Sequence, residues 1–143
     1  MTTKPKLVEF LRTFVRDEAD ANGRLEKELD EEGWGNFALL LNAAFFLAVD
    51  RYFDGRRDDA AIIQFVAGMR SQLDVGGASI DPAAAEALIT SVFDPDTPLN
   101  IEPGMMGQIQ THALYKALND KPISDDDLAS LLNEAAAIAS SRN

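Results

Sequence analysis

NFALLLNAAFFLAVDRYF, residues 36–53, is apolar on nearly every side, and only Asn42, Asp50 and Arg51 interrupt it after the opening Asn36. A helix without a polar face cannot lie on a surface, so this segment is expected to be the post around which the rest of the chain packs. A membrane span is the competing assignment. It is disfavoured because the stretch is short for crossing, carries Asp50 and Arg51 in its last turns, and has no basic cluster beside it to set an orientation.

The flanking segments supply what such a post needs. Pro5 to about Asp20 reads as a helix with Leu7, Phe10, Leu11, Phe14 and Val15 on one face, stopped by Asn22-Gly23. Residues 21–35 form an acidic connector or a short helix using Leu25 and Leu29, and Gly33 and Gly35 give a flexible entry around Trp34. Beyond the post, Asp58 or Asp59 caps a helix with Ile62, Phe65, Val66, Met69 and Leu73 inward, ended by Asp74-Val75-Gly76-Gly77. Asp81-Pro82 starts the next, whose inner face is Ala85, Leu88, Ile89, Val92 and Phe93, and Asp94-Pro95 stops it. A fifth long helix opens at Glu102-Pro103, and a last one at Ser124, where three aspartates suit the positive end of the helix dipole. Strand alternation is missing. The expected fold is therefore all-α: residues 1–143 form a single-domain, irregular (orthogonal) bundle of five to seven helices around the central apolar helix 36–53.

Composition narrows the chemistry. With 46% apolar and 26% charged residues the chain is globular in character, and with no cysteine it lacks disulfides, thiolate metal sites and cysteine nucleophiles. The first residues carry no uninterrupted apolar run of the secretory type, because Glu9, Arg12 and Thr13 break it; a cytoplasmic location is expected. The net charge of −11 argues against nucleic acid. From Arg57 to Lys116 the one basic residue is Arg70, against Asp58, Asp59, Asp74, Asp81, Glu86, Asp94, Asp96 and Glu102. A second acidic knot runs from Glu26 to Glu32, and basic residues gather at Lys4, Lys6, Arg12 and Arg16 and again at Arg51, Arg56 and Arg57.

Catalytic signals are weak. His112, the one histidine, could serve as a general base, but no nucleophile motif accompanies it, and a structural or surface role fits it better. Carboxylate spacings match no calcium loop, and Gly104-Met-Met-Gly107 lacks the lysine and strand of a phosphate loop; its glycines are expected to permit close helix approach. No catalytic, cofactor or metal residues are assigned. The expected function is a non-enzymatic protein–protein interaction module. It meets a basic partner through its acidic middle section, or a second copy of itself as a homodimer. Trp34, Arg56, Arg57 and His112 are the candidate partner-binding residues, Trp34 because tryptophan concentrates at binding hot spots. The alternative is a bundle holding a small apolar ligand in a cavity lined by Phe65, Met69, Met105 and Met106.

Overall fold

Seven helices account for the secondary structure of the computed structural model, which describes residues 3–72 and 80–141. They are α1 (Pro5–Val15), α2 (Ala19–Glu32), α3 (Phe37–Tyr52), α4 (Asp59–Ser71), α5 (Pro82–Phe93), α6 (Pro103–Asp120) and α7 (Asp125–Ser141). No strand occurs among the described residues, so the all-α, single-domain bundle expected from the pattern is the fold found. Leu73 and the Asp74–Gly77 stop signal lie outside the described residues. No helix among the described residues is long and apolar enough to cross a membrane. At 1.5 Å per residue, α3 spans roughly 24 Å against a hydrocarbon core of about 30 Å.

Three helices open on proline, at Pro5, Pro82 and Pro103. The ring presets φ for the first turn, and the missing N–H had no intrahelical partner to lose. Asp58 caps α4 by accepting the Ala61 N–H at 2.7 Å, and Ser124 does the same for the Asp127 N–H at 3.1 Å. Asp81 holds the N-cap position of α5, but its side chain makes no capping hydrogen bond. There the proline alone sets the start.

The break between α1 and α2 falls earlier than Asn22-Gly23. Asp17 adopts the left-handed conformation (φ 58°), Glu18 N–H donates to the Thr13 carbonyl at 2.9 Å, and Asp17 N–H donates to that of Phe14 at 3.3 Å. That pair of bonds is a Schellman stop, with aspartate standing where glycine is usual. Asn22 and Gly23 sit inside α2, where the Asn22 amide donates to the Phe10 carbonyl and the Thr13 hydroxyl and ties α2 to α1. The 21–35 region is therefore mostly helix, and Leu29 is fully buried. Gly33 (φ 98°) and Gly35 (φ 54°) take backbone that a β-carbon would strain, which turns the chain from α2 into α3.

Side-chain contacts fix the helix directions. Asn42 accepts from Gln110, and Arg51 donates to the Lys121 and Pro122 carbonyls, so α3 and α6 run parallel. Thr3 joins Asn36 at the start of α3 to Ala136 and Ser140 near the end of α7, so α7 runs antiparallel to both. The most extensive packing of α3 is against α6 and α7.

The post is not covered all round. Leu40, Leu41, Ala44, Phe45, Ala48 and Val49 are buried, but Ala38, Asn42 and Phe46, spaced one turn apart, face solvent, and Phe46 is 46% exposed. The helices pack on the other sides of α3, so Asn42 reaches Gln110 from the surface instead of from the core.

Candidate functional site

An open cleft of about 420 Å³ lies where the end of α3, the turn into α4 and the last turns of α6 meet. Its aromatic wall is Tyr52, Phe53 and Phe65, whose rings contact one another at centroid distances of 4.9–5.3 Å. Three cations line it, Arg56, Lys116 and Lys121, together with the single carboxylate of Asp54. The Lys116 side chain is only 9% exposed, pairs with Asp120 one turn on, and places its ammonium 5.5 Å from the centroid of the Phe65 ring. Gly68 leaves room for it, since a β-carbon there would stand 3.0 Å from Lys116 Nζ and the lysine tip would have to shift by a few tenths of an ångström. Lys121 and Arg51 form a reciprocal clasp, Lys121 Nζ donating to the Arg51 carbonyl at 3.0 Å while the Arg51 guanidinium takes the Lys121 and Pro122 carbonyls at 2.7 Å each. Cations thus occupy the negative ends of both helices.

Of the residues marked in the sequence, Arg56 belongs to this cleft. Arg57 does not: it pairs with Asp50 at 2.6 Å and lies over the Phe93 ring, closing the α3–α4 junction. Lys116 and Lys121 went unmarked. The one available signal for Lys116 was Gly68, a glycine within a helical pattern that has no turn to explain it. Gly104 and Gly107 do not bring helices together. A β-carbon at Gly107 would meet nothing within 4 Å, and one at Gly104 would meet only the nearby Glu102 side chain.

Trp34 faces a second cleft, of about 360 Å³, whose wall includes Phe10, Phe14 and Phe37. Its ring meets Phe10 and Phe37 edge-on at 5.1 and 5.2 Å, and its indole N–H donates to Asp30 at 2.8 Å. The tryptophan staples the α2–α3 junction to α1 and leaves an apolar face toward the cleft. Phe65, Met69, Met105 and Met106 share neither cleft: Phe65 lines the cationic one, Met69 is buried in the core, and the two methionines of α6 pack half-buried against it.

His112 is half-buried on α6 and lines neither cleft. Burial holds its imidazole below the ordinary value, favouring the neutral form. The sign for stability follows directly. As pH falls below about 6.5 the unfolded chain takes up a proton that the folded chain resists, so stability is lost on acidification. The difference in unfolding free energy between wild type and His112→Gln should therefore shrink or reverse between pH 7 and 5. Parallel pH profiles from urea unfolding would show that this burial has no energetic weight.

The charges divide by region. Around α1 and α2 they are paired in part: Lys6 pairs with Glu28 and Glu32, and Arg12 with Glu9 and Glu18, while Asp20, Glu26 and Glu31 are exposed and in no ion pair among the described residues. The Lys6 contact holds the Glu32 carboxyl below the usual carboxylate range. From α4 to the start of α6, by contrast, Asp59, Asp81, Asp94, Asp96 and Glu102 are exposed and form no ion pair among the described residues. No three His, Asp or Glu side chains among the described residues converge as metal ligands.

No family model matches the chain, and comparison with curated proteins and with solved structures returns no significant match.

Proposed function

We propose that this protein is a non-enzymatic protein–protein interaction module whose acidic section, from α4 to the start of α6, meets a basic partner. The observation that carries it is the unequal treatment of carboxylates. Around α1 and α2, Glu9, Glu18, Glu28 and Glu32 are held by Arg12 and Lys6 while Asp20, Glu26 and Glu31 are not, whereas from α4 to the start of α6 Asp59, Asp81, Asp94, Asp96 and Glu102 all stand exposed with no ion pair among the described residues. Unpaired like charge steers an oppositely charged partner and speeds encounter, with a strong dependence on salt. The homodimer form of the reading draws on exposed apolar side chains, Phe46, Ile63 and Leu99, which a second copy would cover. The apolar-ligand alternative keeps one support, the aromatic cleft beside Trp34.

The test compares two charge-matched variants. Asp59→Asn, Asp81→Asn, Asp94→Asn, Asp96→Asn and Glu102→Gln together should abolish co-purification of a partner that wild type retains at low salt and releases at high salt. Neutralising five carboxylates on α1 and α2 (Glu9, Glu18, Glu26, Glu28 and Glu31) should leave that partner bound. Equal loss in both variants, or a wild-type monomer with no partner at low salt, would sink the proposal.

A further inference from the structure

The cleft between α3, α4 and α6 is of the opposite sign to the rest of the molecule. We propose that it binds a small organic anion, a carboxylate or phosphate monoester attached to a planar apolar body, with Arg56 and Lys116 contacting the anion and Tyr52 the body. This goes beyond the partner-binding role and does not depend on it.

Charge is the first argument. In a chain of net charge −11, three cations here face a single lining carboxylate, Asp54. Arg56 has no ion-pair partner among the described residues, and Asp120, the counter-ion of Lys116, is itself one-third exposed. At physiological salt the screening length is about 8 Å, so an anion inside the cleft is governed by these local cations more than by distant carboxylates.

The placement of Lys116 is the second. A lysine–aspartate pair at this helical spacing forms readily on an exposed face, where it costs nothing in desolvation. Here the lysine side chain is buried against α4, with its ammonium 3.0 Å from where a β-carbon at Gly68 would stand. Burying an ammonium is unfavourable, and a lysine–aspartate pair at this spacing could form as well on an exposed face without that cost, so stability alone gives little reason for the arrangement. Its effect is to hold a charged donor at the wall of a cleft with most of its rotamer freedom already lost. Fixing a donor beforehand lowers the entropic cost of binding.

Shape is the third. Tyr52, the half-buried ring of the wall, is held by contacts to the buried Phe53 and Phe65, which fixes it in place, and the volume of about 420 Å³ falls within the range of small-molecule sites. An aromatic body set against Tyr52, with its anionic group toward Lys116 and Arg56, satisfies both halves of the cleft.

The test is a titration of isotope-labelled protein at 0.15 M NaCl, followed by backbone amide shifts. The probes are phenyl phosphate, benzoate and the neutral benzyl alcohol. Saturable shifts around Arg56, Lys116 and Lys121 are expected with at least one of the two anions, and which of them binds more tightly separates phosphate from carboxylate as the preferred head. Benzyl alcohol should produce no saturable shift. Arg56→Ala should weaken binding at least fivefold with an unchanged melting temperature, because Arg56 is exposed and unpaired. Lys116→Met, which keeps the buried stem and removes the charge, should weaken it as much or more. No saturation with either anion, an equal response to benzyl alcohol, or Arg56→Ala binding as tightly as wild type would each overturn the proposal.

Discussion

Replacing Phe53 with alanine is expected to cost about 3–5 kcal/mol of stability, a large share of the roughly 5–15 kcal/mol that holds a domain of this size together. Phe53 ends α3 and is 1% exposed. Its ring meets Tyr52, Phe65 and Phe93 at 4.9, 5.3 and 5.8 Å, so one side chain joins α3, α4 and α5. Truncation removes the transfer free energy of the ring and leaves a void between three helices that are tethered elsewhere and cannot fully collapse. It also removes three edge-on ring contacts, each of order 0.5–1.5 kcal/mol beyond burial. Phe46→Ala, two turns earlier on the same helix, is the control. That ring is 46% exposed, so its loss should cost well under half as much. Urea unfolding checks both, with the midpoint falling and the slope unchanged if only packing is lost. Equal effects at the two positions would mean that Phe53 is not the junction of these helices.

The contrast between these two phenylalanines marks where sequence reading ends. Periodicity located α3 and its partners, because apolar stripes on helices at either side of it leave few other arrangements. It could not show which side of an all-apolar helix stays uncovered. Within residues 36–53 only Asn42 and the half-buried Asp50, each one turn from Phe46, hint at the uncovered side, and Phe45 and Phe46 are adjacent and chemically identical, yet one is buried and the other is not. Only tertiary packing distinguishes them. The misplaced α1–α2 break has a similar cause. Asn22-Gly23 carries the stronger local turn signal, but its amide bonds to α1 hold it within a helix, and the chain turns at Asp17, where residue type gave a weaker hint.

The candidate site was less legible than the fold, for a reason specific to charge. A lysine in sequence reads as surface, and the depth at which Lys116 sits follows from its packing on α4, where it passes Gly68, forty-eight positions earlier. Charges within one segment were easier to interpret: the pairing of Asp50 with a neighbouring arginine follows from proximity along the chain, and Arg57 is the partner found. Within the acidic knot of α2, the pairing of Glu28 and Glu32 with Lys6 could not be read locally, because Lys6, on α1, is more than twenty residues away in sequence. Local composition gives charge, and only the fold assigns it a counter-ion.

Ala44→Phe is expected to be the most damaging change on the opposite principle, too much volume where Phe53→Ala leaves too little. Ala44 and Ala48 are fully buried one turn apart on α3. The two helices packed most extensively against α3 carry matching small residues, Ala113 and Ala117 on α6 and Ala135 and Ala139 on α7, all fully buried. Alanines at such spacing let helix axes come close, toward the short end of the usual 8–10 Å. A phenylalanine at position 44 has no void to enter, so α6 or α7 must move. Neither moves freely. Arg51 clasps the carbonyls that join α6 to α7, and Thr3 ties the far end of α7 to Asn36. Overpacking usually costs about 1–3 kcal/mol, and this site should reach or exceed the top of that range because both neighbours are anchored at their ends. Ala38→Phe, on the exposed side of the same helix, should stay within roughly 0.5 kcal/mol of wild type. Urea midpoints give the magnitudes, and near-ultraviolet circular dichroism of the aromatic rings reports whether the helices have shifted. A stability for Ala44→Phe within 1 kcal/mol or so of the Ala38→Phe protein would mean that α3 is not gripped between α6 and α7.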